Sequence, residues 1–286
     1  MNLSASSTTA GERRFILLAP PSYADTRAFR NLSCDAYEYK RLLADAQRLR
    51  GRVYLADGAI SAEDLTHDGR HRQVADYRSL HLLSVNGAGQ VLGCTRYYPH
   101  ANTTRFAELA VARTPLANDY TWRPPLRRAV ERELGRARDL GYGYVEVGGW
   151  AVAEELRCST EAVRMVVTIY ALGRLLGGAL GISTVTTRHA SSSILRRLGG
   201  LPLVDGGQEI ASYYDPTYKC EMEILRFDSD RPSDHYSSAV ARCQNALAKA
   251  EVIVNEQLTS ELRELDNLAT IGAEVEWDSG RPVLVH

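Results

Sequence analysis

The chain has 286 residues, of which 44% are hydrophobic and 24% charged, enough for one sizeable core with or without an appendage. A formal net charge of −1 argues against any global attraction to nucleic acid or anionic lipid. The five cysteines (34, 94, 158, 220 and 243) are odd in number and include no CxxC pair, which argues against a disulfide framework or zinc site and suits a reducing cytoplasm.

Residues 1–12 are polar and read as disordered. The apolar FILLA that follows is too short for a signal peptide or a membrane span, and reads as a strand stopped by Pro20 and Pro21. Residues 24–50 carry Tyr37, Leu42, Leu43 and Leu49 among charges, a pattern of one or two helices. Residues 56–78 are polar and form a loop with at most a short helix. Two β-rich runs, 80–85 and 91–97, flank Asn86-Gly87-Ala88-Gly89 and predict a hairpin. Pro124 and Pro125 open a helix that runs to about Leu140 and stops at Gly141. A strand over 144–152, a helix over 160–179, a strand over 183–187, a helix over 191–198 and a last strand over about 220–227 follow. Residues 234–271 lack Gly and Pro and place Val240, Leu247, Val254, Leu258, Leu262, Leu265 and Leu268 at helical spacings. They predict an amphipathic helix or helix pair, packed on its own core or, as the alternative, against a twin subunit.

The stretch 144–200 carries the chemistry. Glu146 is a lone acid in an apolar strand, placed to take a proton from an attacking amine; the competing reading is a carboxylate satisfied by an arginine. Arg157 precedes a helix opened by Ser159 and Thr160, and a helix N-terminus with its free N–H groups suits a phosphate. Backbone N–H groups near Val152 and Ala153 are the candidate oxyanion donors. Arg96, at a strand end, can fork onto an acceptor carboxylate, or pair with Asp76 or Glu146. Trp150 and residues 165–170 can line an apolar tunnel or simply the core. Arg128, Arg132 and Arg136 share one helix face and offer a dock for an acidic partner, as do Arg188, Arg196 and Arg197; an ordinary solvated face competes. Asp64, His67, Asp68 and His71 have metal-compatible spacing only if helical, so no metal is expected. Cys158 has no histidine partner in sequence to make it a nucleophile.

Taken in order, hairpin, helix, acidic strand, phosphate-loop helix, strand, helix and last strand resemble the GNAT acyltransferases over roughly residues 14–228. Asp76 ahead of SLHLL, and GCTRYYP at 93–99, resemble the acyl-homoserine-lactone autoinducer synthases. Gly148-Gly149-Trp150, the RHxSxxxLRRxGG run from Arg188 and the YYDPxYxCxMExLRFD ending from Tyr213 resemble more closely the long-chain N-acyl amino acid synthases. The resemblance implies an α/β fold with a GNAT-like mixed central sheet flanked by helices over 13–230; the apolar spacing beyond it adds a helical C-terminal extension over 231–286. It implies a transferase, and the cysteine usage, the histidine spacing and the lack of a long uncharged apolar run add the expectation of a cytoplasmic one without a metal or membrane span. Such an enzyme moves a long-chain fatty acyl group from acyl-CoA or a phosphopantetheine-linked acyl carrier protein to the amino group of an amino acid or similar amine. Glu146 is then the catalytic base; Val152, Ala153, Arg157, Ser159 and Thr160 hold the donor; Arg96, Asp76 and Trp150 meet the acceptor. Three departures stand out. Leu195 occupies the place of the tyrosine of acetyl-transferring relatives, Arg157–Thr160 replaces the usual glycine-rich phosphate loop, and Gly148-Gly149 replaces the Ser-Arg of autoinducer synthases. The alternatives are an autoinducer synthase, an acetyl-CoA-dependent acetyltransferase of small amines, and a GNAT-shaped binding module without activity.

Overall fold

The computed structural model describes residues 13–23 and 27–258, and the backbone of 274–278 and 281–285. The elements are β1 (Arg14–Ala19), β2 (Asn31–Cys34), α1 (Ala36–Ala56), β3 (Leu80–Val85), β4 (Val91–His100), α2 (Pro115–Asn118), α3 (Arg123–Leu140), β5 (Gly143–Val152), α4 (Glu161–Leu175), β6 (Ala179–Thr186) and α5 (Ser191–Leu198). There follow the short strands β7 (Leu201–Pro202), β8 (Val204–Asp205), β9 (Gln208–Glu209) and β10 (Tyr213–Asp215), then β11 (Cys220–Asp228), α6 (Asp234–Leu247), β12 (Glu251–Val254), β13 (Glu274–Asp278) and β14 (Arg281–Val285).

One mixed sheet runs in the order β10-β11-β6-β5-β4-β3-β1-β12-β2, with β7 on the end of β11. The β5–β6, β1–β12 and β12–β2 pairs are parallel. Alternation along β1 shows how the strands build two cores. Ile16 and Leu18 pack under α1 with Leu42, Leu43, Ala46 and Leu49, whereas Leu17 and Ala19 face the opposite layer, with Ile169 of α4 and Leu247 of α6. On the α1 side, α3 covers the other end of the sheet through Leu126, Val130 and Leu134 against Tyr144, Leu180 and Ile182. Local chemistry sets the helix ends: the Asp35 carboxylate accepts from the Glu38 N–H at 2.9 Å to start α1, and Gly141 at φ +67° closes α3.

The expected C-terminal helix is corrected in part. Helix α6 ends at Leu247, and Val252-Ile253-Val254 form a fully buried strand between β1 and β2. A β-branched run favours a pleated, buried strand over a helix. The spacing of Val240, Leu247, Val254 and Leu258 mimicked one helical stripe because two different elements both bury their apolar side; all four side chains lie inside this chain's own core. Leu262, Leu265 and Leu268 fall outside the described residues. The helix expected to run to 179 stops at Leu175, and β6 starts four residues earlier than expected, because Gly177 and Gly178 turn the chain at φ +97° and +103°. Strand β2 was not legible: its burial is mostly that of an exposed edge.

Candidate active site

The parallel pairing of β5 with β6 runs only from Gly143↔Ala179 to Glu146↔Ile182. Beyond that rung β5 stays with β4 as far as Val152, and β6 stays with β11 through Thr186, so the sheet opens between them. The cause lies on β5. Cys94 pairs with Ala151 and Arg96 with Gly148, so Gly149 and Trp150 together face the single residue Thr95, a bulge that bends and twists its strand. Gly149 takes φ +62°, and an added Cβ there would lie 3.2 Å from Nη1 of Arg50. Three cavities meet at the opening, and Gly148 of β5 and Ser183 of β6 line all three. Two of them, about 460 and 290 Å³, lie on the face of α1 and α3 and carry polar side chains. The third, about 50 Å³, lies on the face of α4 and is walled almost wholly by apolar side chains.

Glu146 sits on the last paired rung and lines the larger of the two polar cavities, with 14% of its side chain exposed. Its Oε2 meets His100 Nε2 at 2.9 Å and accepts from the Ala110 N–H at 3.1 Å, while Oε1 accepts from the Val111 N–H at 3.2 Å. The carboxylate is therefore fixed by one imidazole and two backbone groups, not by an arginine, and Oε1 keeps acceptor capacity. His100, whose ring lies tilted against that of Tyr98 with centroids 4.5 Å apart, was missed in the sequence. Strand register is the signal that finds it: Tyr98 lies opposite Glu146, and His100 is two residues along the same face of β4.

Asp76 is corrected from acceptor contact to buried anchor. It is 0% exposed, and five donors converge on it: Arg50 Nη1 at 3.0 Å and Nη2 at 2.7 Å, Arg96 Nη1 at 2.9 Å, Gln47 Nε2 at 3.0 Å and the Gln73 N–H at 3.1 Å. Burial alone would raise its carboxyl, but Arg50 and Arg96 outweigh it and hold the group well below the usual carboxylate range. Two guanidiniums share one carboxylate, leaving an excess positive charge. Arg96, which also donates to Gln73 Oε1 at 2.7 Å, carries that excess to the walls of both larger cavities. The two readings of Arg96, ion pair and cavity cation, both hold. Nearby His71 and His81 are pushed down to about 4, in each case chiefly by burial.

Neither a family model nor a curated protein matches the sequence. Solved structures do match. BjaI, a CoA-dependent acyl-homoserine lactone synthase solved with SAM and isopentyl-CoA, superposes with a TM-score of 0.51 at 13% identity, covering 87% of this chain and 98% of its own. The chain shares the fold of that structure, a GNAT-like mixed central sheet flanked by helices. MesI, another CoA-dependent acyl-homoserine lactone synthase (16% identity, 84% and 98% covered, TM-score 0.46), and FeeM, an N-acyl amino acid synthase from uncultured soil microbes (16%, 76% and 91%, 0.41), match less well and carry no weight of their own.

Within this GNAT fold the expected donor residues separate. The Ala153 N–H is already given to Leu92 O at 2.8 Å, on the β4 side. Alternation along the strand turns the Val152 N–H to the other edge, which β6 has left. Trp150 lines the small cavity and one larger one, and its indole N–H is buried without a partner. Ser159 Oγ accepts the Glu161 N–H at 3.1 Å, and the Thr160 side chain makes no capping bond at the start of α4. Arg157, 43% exposed, reaches Asp57 Oδ1 at 3.4 Å. Asp57, at the end of α1, also holds His189 Nε2 at 3.3 Å, and its carbonyl accepts from Arg188 at 2.6 Å. Asp57 thus ties the loop before α4 to the loop before α5 across the rim of the 290 Å³ cavity. Arg157, Ser159 and Thr160 do not line the three cavities; only this tie connects them. Neither Asp57 nor Ser183 was singled out in the sequence, and only the register across the opening reveals them.

The arginine stripe on α3 is occupied internally. Arg128 and Arg132 both clamp Asp205 of the β8–β9 hairpin, and Arg136 binds Asp228 at 2.5 Å. Asp64 caps Ser61, Asp68 pairs with Arg48 and Arg70, and His71 is buried against Tyr54. Among the described residues no group of three or more His, Cys, Asp or Glu side chains is placed to hold a metal, and no helix is long and apolar enough to cross a membrane.

Proposed function

We propose that the chain is an N-acyltransferase that moves an acyl group from a phosphopantetheine thioester, on CoA or a carrier protein, to the α-amino group of an amino acid. The observation that carries this reading is the opening beyond Glu146↔Ile182, which joins polar cavities holding Glu146 and Arg96 to an apolar pocket on the far face. The thioester carbonyl lies between Gly148 and Ser183, with its acyl tail in the apolar pocket. The CoA-dependent BjaI, which shares the fold, uses a donor of the same class.

The acceptor enters from the α1–α3 face. Arg96 pairs with its carboxylate, which answers the excess charge left by Asp76. The amine attacks the thioester carbon, the C–N bond forms, and the proton it sheds passes to Oε1 of Glu146. The Trp150 indole N–H, buried without a partner beside Gly148, faces the region where the oxyanion develops, whereas Val152 is four residues further along β5 and out of its reach. The C–S bond then breaks. A thiolate leaves without a strong acid, so Leu195 in place of a tyrosine is no obstacle.

The test combines metabolite mass spectrometry of an expressing host with kinetics of Glu146→Gln. New N-acyl amino acids are expected, and the variant should lose roughly 10²–10⁴-fold in kcat, the range of a general base, while donor affinity stays within about twofold. Acyl lactones in place of amides would assign the chain to lactone synthesis. Unchanged turnover in the variant would remove Glu146 from the mechanism.

A further inference from the structure

A groove of about 300 Å³ lies where the start of β1 meets α4 and the end of α6. It shares no lining residue with the three cavities at the opening, so it stands whatever reaction the opening performs. We propose that it is a second binding site, for an amphiphilic anion: a carboxylate or phosphate head on a hydrocarbon body.

The walls are mostly carbon. Elsewhere along the two helices, Val240 of α6 packs with Val166, Val167 and Tyr170 of α4 and closes the seam. At the groove α6 offers Cys243 and Ala246, the turn after it Ala250, and α4 Thr168. Side chains this small leave a gap, with Phe15 and Leu247 in its walls. The Thr168 hydroxyl is spent on the Arg164 carbonyl at 2.8 Å, so it gives the gap no donor. Water held there finds few partners, and a hydrocarbon displaces it favourably.

The same groove is lined by three cations, Arg14, Arg164 and Lys249, and among the described residues by no acid. Arg164 is fixed in place: its Cζ lies 4.2 Å over the Phe15 ring, and Nη2 donates to the Arg13 carbonyl at 3.2 Å. Its counter-charge is shared. Glu161, 1% exposed, meets Arg164 Nη1 at 3.4 Å and Arg13 Nε at 3.3 Å, so two guanidiniums divide one buried carboxylate. Arg14 reaches Glu251 at 3.1 Å, and exposed Lys249 makes no ion pair among the described residues. Four cations thus answer two carboxylates. A solvated face would pair its charges, and an ordinary core seam would exclude them. A single anionic head on an apolar body meets both the excess charge and the carbon walls. Arg164 and Thr168 stand on α4 beside Met165 and Ile169, which line the apolar pocket of the opening, so the occupant touches a helix that also walls the active site.

The test is isothermal titration of the full chain with octanoate, octyl phosphate, octanol and inorganic phosphate. One or both of the amphiphilic anions should bind at least about tenfold more tightly than octanol or inorganic phosphate, each of which lacks half of the fit. The tighter of the two names the head group, and binding should weaken as salt is added. Because Ala246 is exposed, Ala246→Trp fills the groove without entering the core; it should abolish binding and leave the urea midpoint unchanged. Binding that survives in that variant belongs to the opening and overturns the proposal. If Ala246→Trp does not fold, Lys249→Gln should weaken binding by about two- to fivefold, the range of an exposed ion pair, and unchanged affinity overturns the proposal. Equal affinity for octanol overturns it, as does adsorption to phosphatidylglycerol vesicles without binding of the soluble anions, which would make this face a membrane contact. None of these outcomes bears on Glu146, whose role is decided by acyl transfer.

Discussion

Replacing Asp76 by Asn isolates the buried charge cluster beneath the site. Asp76 is 0% exposed and Arg50 2%, so solvent cannot take over the lost role. An asparagine offers one acceptor oxygen where five donors converge. If its NH2 replaces Oδ2, it faces Arg50 Nη2, Gln47 Nε2 and the Gln73 N–H; if flipped, it faces Arg50 Nη1 and Arg96 Nη1. In both orientations at least two donors lose their acceptor and two guanidiniums lose their counter-charge. Removing one partner of a buried pair costs about 3–5 kcal/mol. With Tm falling about 2–4 °C per kcal/mol for a domain near this size, the melt should drop by roughly 6–20 °C. Urea unfolding followed by circular dichroism measures the first figure and a thermal scan the second. The acid limb gives a second readout. The folded-state carboxyl lies below its unfolded value near 3.9, so its contribution is complete above that pH and is lost as pH falls beneath it. The variant should lack this part of the acid transition. A loss under about 1 kcal/mol, the scale of an exposed ion pair, would refute the reasoning.

Gly149→Ala places a Cβ on a left-handed residue, which costs about 1–2 kcal/mol before any clash; since Arg50 is pinned by Asp76 and cannot retreat, the variant should unfold at lower urea and lose acyl transfer, and full stability would show that the bulge does not need glycine. Asp57→Asn should lower the donor KM by up to about fivefold at low salt, because Arg157 and His189 are released to meet phosphate and an exposed ion pair is worth about 0–1 kcal/mol. A raised KM would mean the tie shapes the site instead of competing with the donor. His71 and His81 are held neutral when folded, with values near 4 against an unfolded value of about 6.5. The unfolded chain therefore binds the extra protons, and stability should fall as pH drops from about 6.5 towards 4, by up to about 2.7 kcal/mol per pH unit around pH 5 for two protons. Flat stability over that window would contradict their burial as neutral groups.

The order of elements was readable because hairpin, helix and strand signals are local: Asn86–Gly89, Pro124-Pro125 and Gly141 each act within a few residues. The acid at 146 and the glycines at 148–149 were equally plain, and they lie on the rung and the bulge from which the sheet opens. What pairing decides was not readable. Asp76 carries the same letter whether it meets an acceptor or anchors Arg50 from 26 residues away. His100 reaches Glu146 only through the β4–β5 register, and Ser183 matters only because β6 leaves β5 one residue earlier. The stripe from Val240 to Leu258 misled because a helix and a strand that bury the same side can share one spacing.

The account depends on the gap between β5 and β6 receiving a pantetheine arm. A crystal structure with a bound S-alkyl-CoA thioether tests this most directly. The expected result is a sulfur beside Gly148 and Ser183, with the arm between residues 147–152 and 183–186 and the alkyl group against Met165. Continuous β5–β6 pairing past Ile182, or a thioether bound away from that gap, would contradict it.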